Sequence, residues 1–186
     1  MSGQSSYLGV VTADWVAALS SSDSLERRLA AHALGEIGRM AGEAVAPLTE
    51  ALRDSESFVR VWAAAALARV EPEHPDVIPA LVAGTRDGIS FVRSLAVWHL
   101  GRLGPRHPGI EVAVPDLREL LNDNDPSVCA EALVALENLA SKGFVTVSID
   151  HKESTYDDQK AHALRALAAL VESIVDPRDN VVALRG

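Results

Sequence analysis

Apolar residues recur along the chain with a period of about 33 residues. Five leucines mark the period, at spacings of 33, 33, 36 and 31 residues. An alanine stands four residues before each leucine, and an apolar residue stands three after it. Spacings of three and four place these side chains on one face of an α-helix. The five leucines are Leu34, Leu67, Leu100, Leu136 and Leu167.

Each period also contains an earlier apolar segment with helical spacing, separated from the later one by a cluster of Asp, Ser and Asn residues. Such residues accept the free N–H groups at the start of a helix. The pattern therefore predicts helical hairpins, each with a first helix (A), a short turn and a second helix (B). The B helices are predicted over 24–38, 56–70, 89–103, 126–141 and 157–175. We expect a single domain over 1–186, with repeats at 13–38, 43–71, 75–104, 110–141 and 157–175.

Two of the predicted B helices carry a family pattern. Residues 58–67 read FVRVWAAAAL and residues 91–101 read FVRSLAVWHLG. Both segments resemble the Val-Arg, Ala-Ala and Ala-Leu-Gly pattern of HEAT repeats, in the short form found in phycobilisome (PBS) lyases. The resemblance implies an all-α fold, a right-handed α-solenoid of four to five HEAT-like helical hairpins. It leaves function open, because one fold serves many functions.

The resemblance also implies a structural role for a repeated Asp and Arg. In the family an Asp stands six residues before the Arg, and here Asp54 precedes Arg60 and Asp87 precedes Arg93. Each Arg is expected to bond an Asp of its own or an adjacent turn, which would form a ladder along the solenoid. The fourth repeat departs from the pattern, because Cys129 stands at the Arg position.

The fifth repeat lacks an A helix. An irregular insert, 144–156, stands in its place, and Val145, Val147 and Ile149 alternate there with polar residues. Alternation of this kind is typical of a strand or an extended arm. Because terminal repeats need a cap, the insert is one candidate for folding over the end of the solenoid.

Composition agrees with close-packed helices. Roughly one residue in six is alanine and 4% are aromatic, which disfavours β-sandwiches and barrels. The single cysteine excludes an internal disulfide, and no secretory leader or membrane-spanning run is evident, so a cytoplasmic protein is expected. The net charge of −9 argues against nucleic acid and favours a protein partner with basic patches.

The outward positions of the B helices supply the candidate binding residues. Trp98 among apolar neighbours, with arginines beside them, has the composition of a protein-binding hot spot. The alternative for Trp98 is packing between adjacent B helices, and Trp62 is assigned to the core. His99 is either a partly buried, hydrogen-bonded residue or a groove residue. The predicted protein-binding residues are Val61, Ala65, Trp98, Val134, Arg69, Arg102, Glu36 and His32.

The sequence shows no catalytic motif. Solenoid hydroxylases carry repeated His-Glu dipeptides as iron ligands, and this chain has none. His74 and His107 occupy equivalent turns of neighbouring repeats, too far apart to share a metal. No cofactor and no metal is therefore expected. The leading hypothesis is a non-catalytic scaffold that binds a partner protein through a concave B-helix face.

Two other functions stay open at this point. The chain could be a phycobilin lyase subunit or a relative of one, in which case the Trp98 groove would hold a tetrapyrrole and the arginines would face its propionates. It could also form a homo-oligomer, with its apolar groove buried against a second copy.

Overall fold

The fold is a solenoid of helical hairpins. In the computed structural model, residues 6–104, 107–140 and 161 are described, and they include four consecutive hairpins. The A helices are α1 (Thr12–Ala18), α3 (Val45–Ala51), α5 (Val77–Gly84) and α7 (Val114–Glu119). The B helices are α2 (Ser24–Ile37), α4 (Ser57–Val70), α6 (Ser90–Leu103) and α8 (Pro126–Ala140). The predicted all-α solenoid is confirmed, whereas the insert 144–156 and the helix 157–175 lie outside the described residues.

The leucines that mark the period form the centre of the core. Leu34, Leu67 and Leu100 are completely buried, and Leu136 is 6% exposed. The alanines four residues before them are also completely buried, where their small size lets neighbouring helices approach closely. The one-sided pattern of the sequence thus becomes a continuous core between the A and B helices.

An aspartate three residues before the first helical residue precedes α4, α6 and α8 in the same way. Its carboxylate accepts a hydrogen bond from the backbone N–H two residues further on, at 2.8–3.0 Å. This turn satisfies an N–H group that would otherwise lack a partner near the helix start. These three aspartates are Asp54, Asp87 and Asp123. In the first repeat Ser21 stands at the equivalent position, and Asp23, directly before α2, accepts a hydrogen bond from the N–H of Leu25.

A short β-hairpin precedes the first repeat and was not predicted. Strands β1 (Ser6–Tyr7) and β2 (Val10–Val11) pair antiparallel, and β1 packs against α2. The two residues between them, Leu8 and Gly9, have φ values of 53° and 80°. Positive φ at both positions is the geometry of a tight hairpin turn, which Gly9 adopts without strain.

Arginines connect consecutive repeats through their guanidinium groups. Arg27 binds the carboxylate of Asp54 in the next repeat through two hydrogen bonds of 2.6 and 2.9 Å. Arg93 binds Asp123 in the same way, at 2.8 and 2.7 Å. Each arginine also donates to a backbone carbonyl in its own turn, and Arg93 donates to that of Asp87 at 2.9 Å. The carboxylate bonded by each arginine is therefore that of the following repeat.

The ladder is weaker at Arg60 and changes at Cys129. Arg60 lies 3.5 Å from the carboxylate of Asp87, and its side chain is 35% exposed. Cys129 donates its thiol to the carbonyl of Asp123 at 3.1 Å, which reproduces the carbonyl contact of the arginines without their charge. Burial raises the pKa of the Cys129 thiol, so Cys129 behaves as a small buried residue.

Candidate binding groove

Neighbouring B helices of the described residues meet at three junctions, and the middle one, between α4 and α6, is packed differently from the other two. Between α2 and α4, Gly35 lies so close to Ala66 that an added Cβ would be 3.1 Å from the Ala66 Cα. Between α6 and α8, Gly101 has the same relation to Ala135. At the corresponding positions of α4 and α6 stand Ala68 and His99. Because this pair is bulkier, α4 and α6 approach each other less closely.

A groove of about 540 Å³ opens at this junction. Residues of three consecutive B helices line it, and Leu81 of α5 contributes at its inner side. The lining residues on the B helices are His32, Glu36, Trp62, Ala65, Ala68, Arg69, Trp98, His99, Arg102 and Leu103. The groove thus combines two indole rings with charged groups, which is the composition of a site for a ligand with apolar and polar parts.

Aromatic rings form a continuous row across the groove. His32 contacts Trp62 edge to face with 4.8 Å between ring centroids, and Trp62 contacts His99 at 5.3 Å. His99 in turn contacts Trp98 at 4.7 Å. Tyr7 of the N-terminal hairpin extends the row, with its ring 6.2 Å from that of His32. Edge-to-face contacts fix ring orientations, so this aromatic row is preorganised before any ligand binds.

A row of charged residues lies on the same three helices. Arg69 binds Glu36 through hydrogen bonds of 2.6 and 3.2 Å, which connects α4 to α2. Arg102 lies over the indole of Trp98 at 4.6 Å. Within the described part of the chain, no carboxylate forms an ion pair with Arg102. The charged row therefore offers one guanidinium that retains its capacity to bind an anion.

His99 is held neutral at the base of the groove. Burial lowers the pKa of His99 to about 4, and the nearby charges of Arg102 and Arg69 act in the same direction. Its buried Nε2 atom has no hydrogen-bond partner among the described residues. The hydrogen bond expected for a partly buried His99 is thus missing, and its ring lies in the groove, against the indoles of Trp62 and Trp98.

We expect the neutral state of His99 to make stability pH-dependent. The unfolded chain, with a pKa of 6.5 for His99, takes up a proton more readily than the folded protein as pH falls. The contribution is complete above about pH 6.5 and is lost progressively towards pH 4, so the free energy of unfolding should fall by about 1 kcal/mol between about pH 7.5 and 5.5. Urea unfolding of wild type and His99→Gln at both pH values measures it. Equal pH dependence in the two proteins would contradict the assignment.

The structure separates the predicted binding residues into two groups. Trp98 is 41% exposed and lies in the groove, as do His32, Glu36, Arg69 and Arg102, whereas Val134 is exposed on α8 outside it. The predicted exposure of Val61 and Ala65 is wrong, because these side chains are only 1% and 6% exposed. Val61 is covered by α5, where an added Cβ on Gly84 would be 2.8 Å from its Cγ2. Ala65 borders the groove but offers it little surface.

Sequence reasoning missed Trp62 as a member of the groove and left two alternatives open for His99, of which one is a groove residue. Trp62, which the sequence predicts as a core residue, packs partly on the core while its remaining surface lines the groove. His99 has a visible signal in the sequence, because it stands directly before its leucine, where all four of the other repeats have alanine. The matching signal on α4 is Ala68, which stands where α2 and α6 have Gly35 and Gly101.

Two further histidines of the described residues, His74 and His107, lie in turns away from the groove. His74 is 3.2 Å from the hydroxyl of Thr49, and His107 is buried with its Nδ1 2.9 Å from the carbonyl of Pro108. Within 6–104 and 107–140, no three His, Cys, Asp or Glu side chains are arranged to hold a metal ion. In the same ranges, no helix is both long and apolar enough to cross a bilayer.

Family models match most of the described repeats. Residues 12–101 match the model of HEAT repeats, and residues 92–123 match that of the PBS lyase HEAT-like repeat. Residues 12–123 belong to the HEAT-repeat family. HEAT repeats build scaffolds that commonly mediate protein–protein interactions, and the family is generally non-catalytic.

The solved structures that match the chain include two engineered proteins of the Northeast Structural Genomics Consortium. The HEAT-repeat chain is 25% identical to one of them, with a TM-score of 0.51, and the match covers 87% of this chain and 84% of the other. For the second the identity is 23% and the TM-score 0.48, over 85% and 81% of the two chains. No curated protein matches the chain.

Proposed function

We propose that this HEAT-repeat protein is a non-catalytic scaffold that binds a partner protein through the groove between α4 and α6. The observation that carries the proposal is the break in close packing at that junction, where His99 replaces alanine and two indoles line the opening. A wider junction buries less apolar surface within the chain, which costs stability. Occupation by a partner would recover that burial.

The composition of the groove supports a protein ligand. Tryptophan and arginine are the residues most enriched at the energetic centres of protein interfaces, and the groove places Trp98 and Arg102 against each other. The solenoid backbone around them is held by the core and by the arginine ladder. Binding to such a rigid surface loses little backbone entropy.

Charge favours a protein over a tetrapyrrole. A bilin carries two propionates, so its binding would be served best by two unpaired cations. In the groove Arg69 is already paired with Glu36, which leaves Arg102 as the cation without a carboxylate among the described residues. Incubation with bilin tests this alternative directly, because a red-shifted, protein-bound absorbance would favour it over a protein partner.

Trp98→Ala should abolish capture of the partner with little loss of stability. The indole is 41% exposed, so its removal leaves a small internal defect, whereas a buried Trp at an interface contributes on the order of 3 kcal/mol. The measurement is affinity capture from the native host with identification by mass spectrometry, together with thermal unfolding. Val134→Ala is the matched control, since Val134 is 50% exposed on a B helix but lies outside the groove.

Two outcomes would contradict this proposal. Equal capture by wild type and Trp98→Ala would show that the partner binds elsewhere. Light scattering of the purified chain gives the second test, because a dimer that dissociates on the Trp98→Ala exchange would identify the groove as a contact between two copies.

A further inference from the structure

The groove has an aromatic row and a charged row, and this pairing indicates which kind of partner segment fits it. The aromatic row runs through His32, Trp62 and Trp98, and the charged row runs through Glu36, Arg69 and Arg102. Both rows span α2, α4 and α6. A ligand that follows the groove therefore meets apolar surface and charge side by side.

The length of the groove favours a chain segment that passes through it. Packed helices lie about 10 Å apart, so three B helices extend over roughly 20 Å. An extended peptide advances about 3.3 Å per residue, and about six residues would fill that span. In an extended segment neighbouring side chains point in opposite directions, so one residue can face the aromatic row while the next faces the charged row.

The charged row carries a net positive charge. The carboxylate of Glu36 is neutralised by Arg69, and His99 is neutral because burial lowers its pKa. Arg102 remains, and its guanidinium is oriented by the face of Trp98. A guanidinium with fixed geometry binds a carboxylate through paired hydrogen bonds.

We infer that the groove recognises an extended segment of a partner protein in which an acidic side chain lies next to a large apolar one. The carboxylate would bind Arg102, and the apolar side chain would pack against the indoles of Trp62 and Trp98. This inference rests on the proposed function and adds the chemistry of the partner. It differs from the expectation drawn from the net charge of −9, because the groove concentrates positive charge on an acidic protein.

Selection from a random peptide library displayed on phage, with the full chain as bait, tests the inference. We expect enrichment of Asp or Glu beside Trp, Phe, Leu or Ile. Selected peptides, labelled with fluorescein, should bind about tenfold more weakly to Arg102→Ala, since a hydrogen-bonded ion pair is lost. Arg102→Glu should invert the preference and select Lys or Arg instead. Arg53→Glu is the matched control, because Arg53 is exposed at the end of α3, outside the groove lining.

The outcomes separate the inference from the proposal on which it rests. Peptides that lose binding in Trp98→Ala but show no acidic preference would overturn the inference and leave the groove as the binding site. Peptides that bind equally well to Trp98→Ala would overturn both. Equal weakening by Arg53→Glu and Arg102→Glu would show a general charge effect and would also overturn the inference.

Discussion

Arg93→Ala should lower the free energy of unfolding by about 3 kcal/mol. The exchange removes two hydrogen bonds to Asp123 and one to the carbonyl of Asp87, and it leaves a carboxylate with 7% exposure without its counter-charge. Breaking a buried pair on one side costs about 3–5 kcal/mol, more than the pair itself contributes. Urea denaturation followed by circular dichroism at neutral pH measures the loss.

Arg60→Ala is the internal control for this effect. Arg60 occupies the same ladder position, but its side chain is 35% exposed and its guanidinium lies 3.5 Å from the carboxylate of Asp87. A partly exposed pair at this distance contributes about 1 kcal/mol or less. The double variant Arg93→Ala/Asp123→Asn should be more stable than Arg93→Ala, because it removes the unpaired charge. Equal losses for Arg60→Ala and Arg93→Ala would contradict the account.

The ladder also shows what the sequence could and could not predict. The spacing between Asp54 and Arg60 indicated a bond in the same or an adjacent turn, and only coordinates distinguish the two. The carboxylate of Asp54 is occupied by Arg27 of the preceding repeat, while Arg60 takes the carbonyl of Asp54. A one-dimensional period gives the register of the repeats, but it does not give which repeat supplies each partner.

The helices were predictable because their pattern repeats. Buried leucines and alanines at fixed spacing define each B helix, and the bounds of α2, α4, α6 and α8 lie within one residue of those predicted. The N-terminal β-hairpin could not be predicted, because its strands have two residues each, too few to establish an alternating pattern. The burial of Val61 could not be predicted, because the residue that covers it, Gly84, belongs to the A helix of the next repeat.

The groove was predictable in part from departures from the repeat. Trp98 and Arg102 stand out because they occupy outward positions of a B helix, and the structure places both in the groove. The width of the groove depends on a pair of small differences, Ala68 for glycine and His99 for alanine. Each is a modest change at its own position of the repeat. Together they separate α4 from α6, and this is visible only once the two helices are known to face each other.

Gly84→Ala should test this packing from the opposite side, with a loss of about 2 kcal/mol in the free energy of unfolding. Gly84 lies at the end of α5, and an added Cβ would be 2.8 Å from Val61 Cγ2 and 2.9 Å from Ala96 Cβ. Val61 and Ala96 are buried and have short, stiff side chains, so the helices themselves must move. Forcing an extra methyl into a packed core costs about 1–3 kcal/mol.

The displacement should also reach the groove, because Val61 and Ala96 belong to α4 and α6, the two helices that form it. A shift between them would change the surroundings of Trp62 and Trp98, which tryptophan fluorescence detects in the folded state. Gly88→Ala is the matched control, since an added Cβ there meets no atom within 4 Å and stability should stay within about 0.5 kcal/mol. In a Val61→Ala background, which removes the Cγ2 atom, the cost of Gly84→Ala should shrink. An undiminished cost there would mean that α5 does not determine the separation of α4 and α6 through this contact.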